Sequence, residues 1–108
     1  MDNEFDKVLA RKHVLEYTKK LQELKMDIVS VYLFGSLVKG NFGEWSDIDI
    51  AVVSNNLTGD PVDDRLKLMK LRWDIDLRIE PHPFLPEDWE DETNPFVEEI
   101  KKTGEKII

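Results

Sequence analysis

At 108 residues, with 41% apolar and 9% aromatic side chains, the chain has the length and core material of one domain, 1–108. Its formal net charge of −8 argues against a general affinity for nucleic acid or anionic membranes, and the absence of cysteine excludes disulfide frameworks and thiolate chemistry. Met1 to Asp6 contains three acids and no basic stretch, and the longest apolar run, Ile28 to Phe34, is too short to span a bilayer. A soluble, cytoplasmic protein with no membrane association is expected.

The first predicted element is a helix over Asn3 to Lys25, capped by Asp2 or Asn3, with Phe5, Val8, Leu9, Val14, Tyr17, Leu21 and Leu24 forming an apolar stripe. His13 within it reads as a surface or boundary histidine. Ile28 to Phe34 is β-branched and aromatic and stops at Gly35, the pattern of a buried strand. Gly35-Ser36-Leu37-Val38-Lys39-Gly40 reads as a turn opening one or two helical turns, followed by a loop to Trp45. Asp47 to Val53 is the second strand. Asp60-Pro61 starts a helix running to Leu71, with Val62, Leu66, Leu68 and Met69 inward. The third strand is placed at Ile75 to Ile79, ended by Pro81, Pro83 and Pro86, and a last helix starts at Asn94-Pro95 and ends near Gly104. The acidic run from Glu87 to Glu92 reads as solvated loop. Helices alternating with strands predict an α/β (α+β) fold, a small mixed sheet of three core strands and one edge strand flanked by helices.

The chemistry concentrates between Gly35 and Asp76. Alternation along a strand puts Asp47 and Asp49 on one face, about 7 Å apart at the backbone. Two ionised carboxylates there repel, and a divalent cation relieves the conflict. Mg2+ favours hard oxygen ligands, one or two carboxylates completed by substrate phosphates. Inward-angled side chains suit two ions about 4 Å apart, the spacing of two-metal phosphoryl transfer. Asp76, bracketed by Ile75 and Leu77, is the expected third acid, orienting or deprotonating an attacking hydroxyl, with Asp74 its rival at the same strand parity. Gly35 allows close approach of backbone to a phosphate, and Ser36 and Lys39 offer a hydroxyl and a positive charge. Glu80 is set aside as an exposed strand-end acid, and His82 as a turn histidine. Trp45, Trp73 and Trp89 are assigned to core or interface packing.

Gly35-Ser36, ten intervening residues, then Asp47-Ile48-Asp49 resembles the signature of the nucleotidyltransferase superfamily with the DNA polymerase β palm fold. The fuller stretch from Gly35 to Gly40 and from Ser46 to Ile50 is similar to its minimal nucleotidyltransferase branch. The resemblance implies triphosphate contacts from Gly35 and Ser36, Mg2+ bound by Asp47 and Asp49, and Asp76 as third catalytic acid and metal ligand. It also implies transfer of a nucleoside monophosphate, AMP from ATP, to an acceptor hydroxyl. Many members of that branch pair with an all-helical HEPN protein, and in some pairs the nucleotidyltransferase is the antitoxin and modifies a HEPN tyrosine. Where related sequences often carry arginine, this chain has Leu37 and Lys39, and lysine lacks the bidentate fork. Arg78, at the parity of Asp76, either compensates at the site or pairs with an acid. Two functions follow: an active enzyme, or an antitoxin that neutralises its partner by contact. A domain this small leaves room for a partner or a second copy, and shows no separate acceptor-binding domain.

Overall fold

The structure, a computed structural model, describes residues 4–43 and 45–108. The chain order is α1 (Glu4–Glu23), β1 (Ile28–Phe34), α2 (Ser36–Lys39), β2 (Ile48–Ser54), α3 (Pro61–Lys70), β3 (Ile79–Phe84), α4 (Pro86–Trp89), α5 (Pro95–Thr103) and β4 (Glu105–Lys106). The strands form one mixed sheet in the order β3-β2-β1-β4, with β2 and β3 parallel and the other neighbours antiparallel. This is the mixed sheet expected from the sequence, with β4 as the added edge strand. The two capping candidates before α1, Asp2 and Asn3, lie outside the described residues.

Burial on both faces explains the near-continuous apolar character of β1 and β2. One face carries Val31, Leu33, Ile48, Ile50, Val52 and Ile79, and packs on Val14, Tyr17 and Leu21 of α1 and Leu68 of α3. The other carries Tyr32, Phe34, Ala51, Val53 and Phe84 under Trp89, Val97 and Ile100 of α4 and α5. Tyr17 donates its hydroxyl to the Leu68 carbonyl, tying α1 to α3 inside the core. Burial pushes the Tyr17 phenol up, the Arg72 charge opposing. The α1 stripe is narrower than expected. Ala10, Val14, Tyr17, Thr18 and Leu21 are buried, whereas Phe5, Val8 and Leu24 are exposed. On α3 only Asp64 and Leu68 are buried, and Val62 and Leu66 face solvent.

Caps behave as their chemistry dictates. Asp60 accepts hydrogen bonds from the amides of Val62 and Asp63, and Asn94 from those of Phe96 and Val97, each followed by proline at the first helical position. Asp64 is buried, and its carboxylate accepts from the Thr58 amide and hydroxyl and the Gly59 amide. Burial raises its pKa, but these donors outweigh that and hold it below the ordinary value.

The third strand lies later than its sequence pattern predicts. Residues 71–78 form successive turns, closed by amides of Ile75 and Asp76 on the Arg72 carbonyl and of Ile79 on the Asp76 carbonyl. The Asp76 side chain also accepts from the Arg78 amide, a local bond that competes with strand pairing. β3 then contains Pro81 and Pro83. Prolines are tolerated there because β3 is an edge strand, and their spacing of two turns both nitrogens away from β2.

Candidate active site

β1 ends at Phe34, directly opposite Asp49 of β2. The chain then turns through Gly35 at φ 82° and ψ −150°, a conformation open to glycine and strained for other residues. A Cβ at Gly35 would lie 2.5 Å from Asp49 Oδ2. The glycine is therefore required twice over: by its backbone angle, and by the carboxylate seated against it. Ser36 opens α2, which ends with Lys39, and Gly40 closes it in the left-handed conformation. Gly35 and Asp49 are thus brought together, with Ser36 next along the turn.

Asp47 is exposed and sits one residue before β2, beyond a turn in which the Gly43 amide donates to Ser46 Oγ at 2.9 Å. Asp49 is part-buried, and its Oδ1 lies 3.3 Å from His82 Nε2. Parallel pairing sets Asp49 beside Glu80 and Ala51 beside His82. Residues in register share a sheet face about 5 Å apart, so Glu80 and His82 flank Asp49. The His82 ring is fixed by Phe34 and Phe96, with centroids 5.1 and 6.0 Å away. Glu80 is held by Arg65 at 2.7 Å and Arg72 at 3.5 Å.

Asp76 stands apart from this group. It precedes β3, its side chain is only 8% exposed, and its oxygens are committed elsewhere. Oδ2 lies 2.9 Å from His13 Nδ1 and 3.0 Å from Arg78 Nη2, and Oδ1 accepts from the Arg78 amide and Nε. Burial raises its pKa, but the Arg78 and His13 hydrogen bonds outweigh this and bring it to about 2. The expected strand parity of Asp76 with the paired acids therefore does not exist. The acid beside Asp49 in the sheet register is Glu80, set aside above as an exposed strand-end acid; β3 begins four residues later than its pattern predicts, which puts Glu80 inside the strand. The rival Asp74 is exposed and paired with Lys20 at 2.7 Å. Arg78 pairs with acids rather than facing Asp49.

Two open clefts adjoin Asp49's neighbours. A cleft of about 660 Å³ runs along α3, with Glu80, His82 and Arg65 at its polar end and Leu66, Met69 and Phe84 on its walls. A smaller one, about 300 Å³, is lined by Gly35, Lys39 and Phe96 among others. Lys39 therefore shares a cleft with Gly35.

The carboxylates of Asp47 and Asp49 and the hydroxyl of Ser36 are hard oxygen donors, the kind that suits Mg2+. Among the described residues no group of three or more His, Asp or Glu side chains is gathered closely enough to hold an ion alone. Such a donor set fits a metal whose coordination is completed by substrate phosphates and water.

The model of the nucleotidyltransferase domain family matches residues 11–105, which span α1 to β4 and the whole site. The chain belongs to the nucleotidyltransferase domain family. A solved structure of a candidate nucleotidyltransferase from Sulfolobus solfataricus is similar in fold, with a TM-score of 0.51 at 24% identity, covering 94% of this chain and 76% of that one. No curated protein matches significantly. The Gly35-Ser36 turn and Asp47-Ile48-Asp49 lie at the same end of the two central strands, after β1 and at the start of β2. Trp89 packs in the core, whereas Trp45 and Trp73 are largely exposed. Among the described residues no helix is long and apolar enough to cross a membrane.

Proposed function

We propose that the chain transfers a nucleoside monophosphate, AMP from ATP, to an acceptor hydroxyl, using Mg2+ held by Asp47 and Asp49. The observation that carries this reading is the seating of Asp49 Oδ2 in the space a Gly35 side chain would fill. The Asp49 carboxylate and the Gly35-Ser36 turn are within one contact of each other, which supports a site where a metal ion and a phosphate meet. Bound Mg2+ supplies charge neutralisation and Lewis acidity at the phosphates. Gly35 and Ser36 hold the triphosphate, and Lys39 adds positive charge on that side. His82 meets Asp49 at Oδ1, and Gly35 leaves the room that Oδ2 occupies. Glu80 takes the part of third acid in place of Asp76, because it shares the face of Asp49 and lines the larger cleft; its pairing with Arg65 and Arg72 suits it to orienting the acceptor hydroxyl and not to taking its proton. Asp76, with its pKa near 2 and its oxygens occupied, is a poor proton acceptor.

An all-helical HEPN-type protein presenting a tyrosine is the acceptor and partner the family resemblance favours. The exposed apolar residues Val62, Leu66, Trp73 and Leu77 on and after α3 support a protein contact under this reading, and equally under a contact-only antitoxin. Calorimetric titration with a non-hydrolysable ATP analogue, with and without Mg2+, tests the enzyme. Metal-dependent binding lost in Asp47→Asn/Asp49→Asn supports it. No binding by the wild type at millimolar nucleotide leaves the contact function.

A further inference from the structure

The geometry points to Arg78 and Asp76 as positioning residues for the Asp47 loop: a clamp that runs from α1 through Asp76 and Arg78 to Phe42 and sets where Asp47 and Asp49 stand. The inference rests on the site reading above, but it concerns residues outside the chemistry.

Four contacts converge on Arg78. Its guanidinium pairs with Asp76 at 3.0 Å and with Asp6 of α1 at 3.3 Å. Asp76 is in turn fixed by His13 of the same helix at 2.9 Å. The guanidinium carbon lies 5.4 Å from the centroid of Phe42, a cation–π arrangement on a ring only 2% exposed. The Arg78 carbonyl accepts the amide of Ile48 at 2.8 Å, the residue between the two acids. One side chain and its own backbone therefore grip both ends of the short segment that carries Asp47, Phe42 at its start and Ile48 at its end.

The arrangement suits positioning and not chemistry. Arg78 presents its planar fork to carboxylates and its face to an aromatic ring, a combination lysine cannot reproduce. Asp47 itself is exposed and lies just outside β2, so its placement depends on the Gly43–Ser46 turn before it and on the two ends of the segment that Arg78 holds. An ion site that relies on two protein carboxylates needs both held to within a fraction of an ångström before the metal arrives.

The test uses the full chain with Arg78→Lys and Phe42→Leu. The first keeps the charge and removes the fork. The second keeps apolar volume and removes the ring face. Circular dichroism and urea unfolding verify that each variant folds. Backbone amide hydrogen exchange is then read at 45–49, with β1 amides as the internal reference. Faster exchange at 45–49 by tenfold or more, with β1 unchanged, is expected in both variants. A Kd for the Mg2+-bound ATP analogue weakened at least fivefold is expected alongside, with binding of the metal-free analogue unchanged. Unchanged exchange at 45–49 in two folded variants would overturn the clamp, as would equal weakening of metal-bound and metal-free nucleotide. A wild type that binds no nucleotide would overturn the catalytic reading, while the exchange data would still decide the clamp by themselves.

Discussion

Replacing Asp76 by asparagine separates a structural carboxylate from a catalytic one. The folded-state pKa of Asp76 is about 2 against an ordinary 3.8, with burial opposing the shift and the Arg78 and His13 hydrogen bonds driving it. At 1.36 kcal/mol per unit, charge at this position contributes about 2 kcal/mol, with little solvent discount because the side chain is only 8% exposed. A depressed carboxyl pKa gives stability that is fully present above the unfolded value of 3.8 and is lost as pH falls through about 2. Urea unfolding of wild type and Asp76→Asn, followed by the fluorescence of buried Trp89, therefore shows a gap of about 2 kcal/mol at pH 7. The gap narrows below pH 4 and is nearly closed at pH 2. In a domain of this size it corresponds to roughly 10 °C in Tm at neutral pH. A gap that is equally wide at pH 7 and pH 2.5 would mean that packing and not charge is lost, and no gap at pH 7 would sink the argument altogether.

Gly35→Ala forces a positive φ on a residue with a side chain and drives its Cβ into Asp49 Oδ2, so Mg2+-nucleotide binding is expected to fall more than tenfold with a stability loss of about 1–2 kcal/mol, read by calorimetry and thermal melts. Glu80→Gln is expected to lower kcat by about a hundredfold with KM for nucleotide little changed, as for loss of a carboxylate that orients the acceptor; an unchanged kcat would return that part to another residue. Leu68→Ala opens a cavity between α1 and α3 and takes away about 3 kcal/mol in urea unfolding, as its complete burial requires. Tyr17→Phe removes the donor to the Leu68 carbonyl and costs about 1 kcal/mol in the same assay.

Local chemistry made much of this molecule legible before any tertiary contact was known. Asp60-Pro61 and Asn94-Pro95 start helices because side-chain oxygens and a missing amide suit the first turn wherever it occurs. Ile28–Phe34 is a strand because its β-branched and aromatic residues fit a sheet buried on both faces, and Gly35 ends it because the next φ is positive. The Gly-Ser turn and the paired acids were legible as motifs, and the antiparallel pairing of β1 with β2 then brought Gly35 to Asp49, since adjacent antiparallel strands bring their ends together. Tertiary structure decided the rest. An edge position permits prolines, which moved β3 from 75–79 to Ile79–Phe84 and exchanged Asp76 for Glu80 beside Asp49. The fate of Asp76 was set by His13 and Arg78, one of them 63 residues away, and no local pattern announces an ion pair over that distance. His82 became a neighbour of Asp49 for the same reason: parallel pairing is a non-local register, and only the assembled sheet defines it.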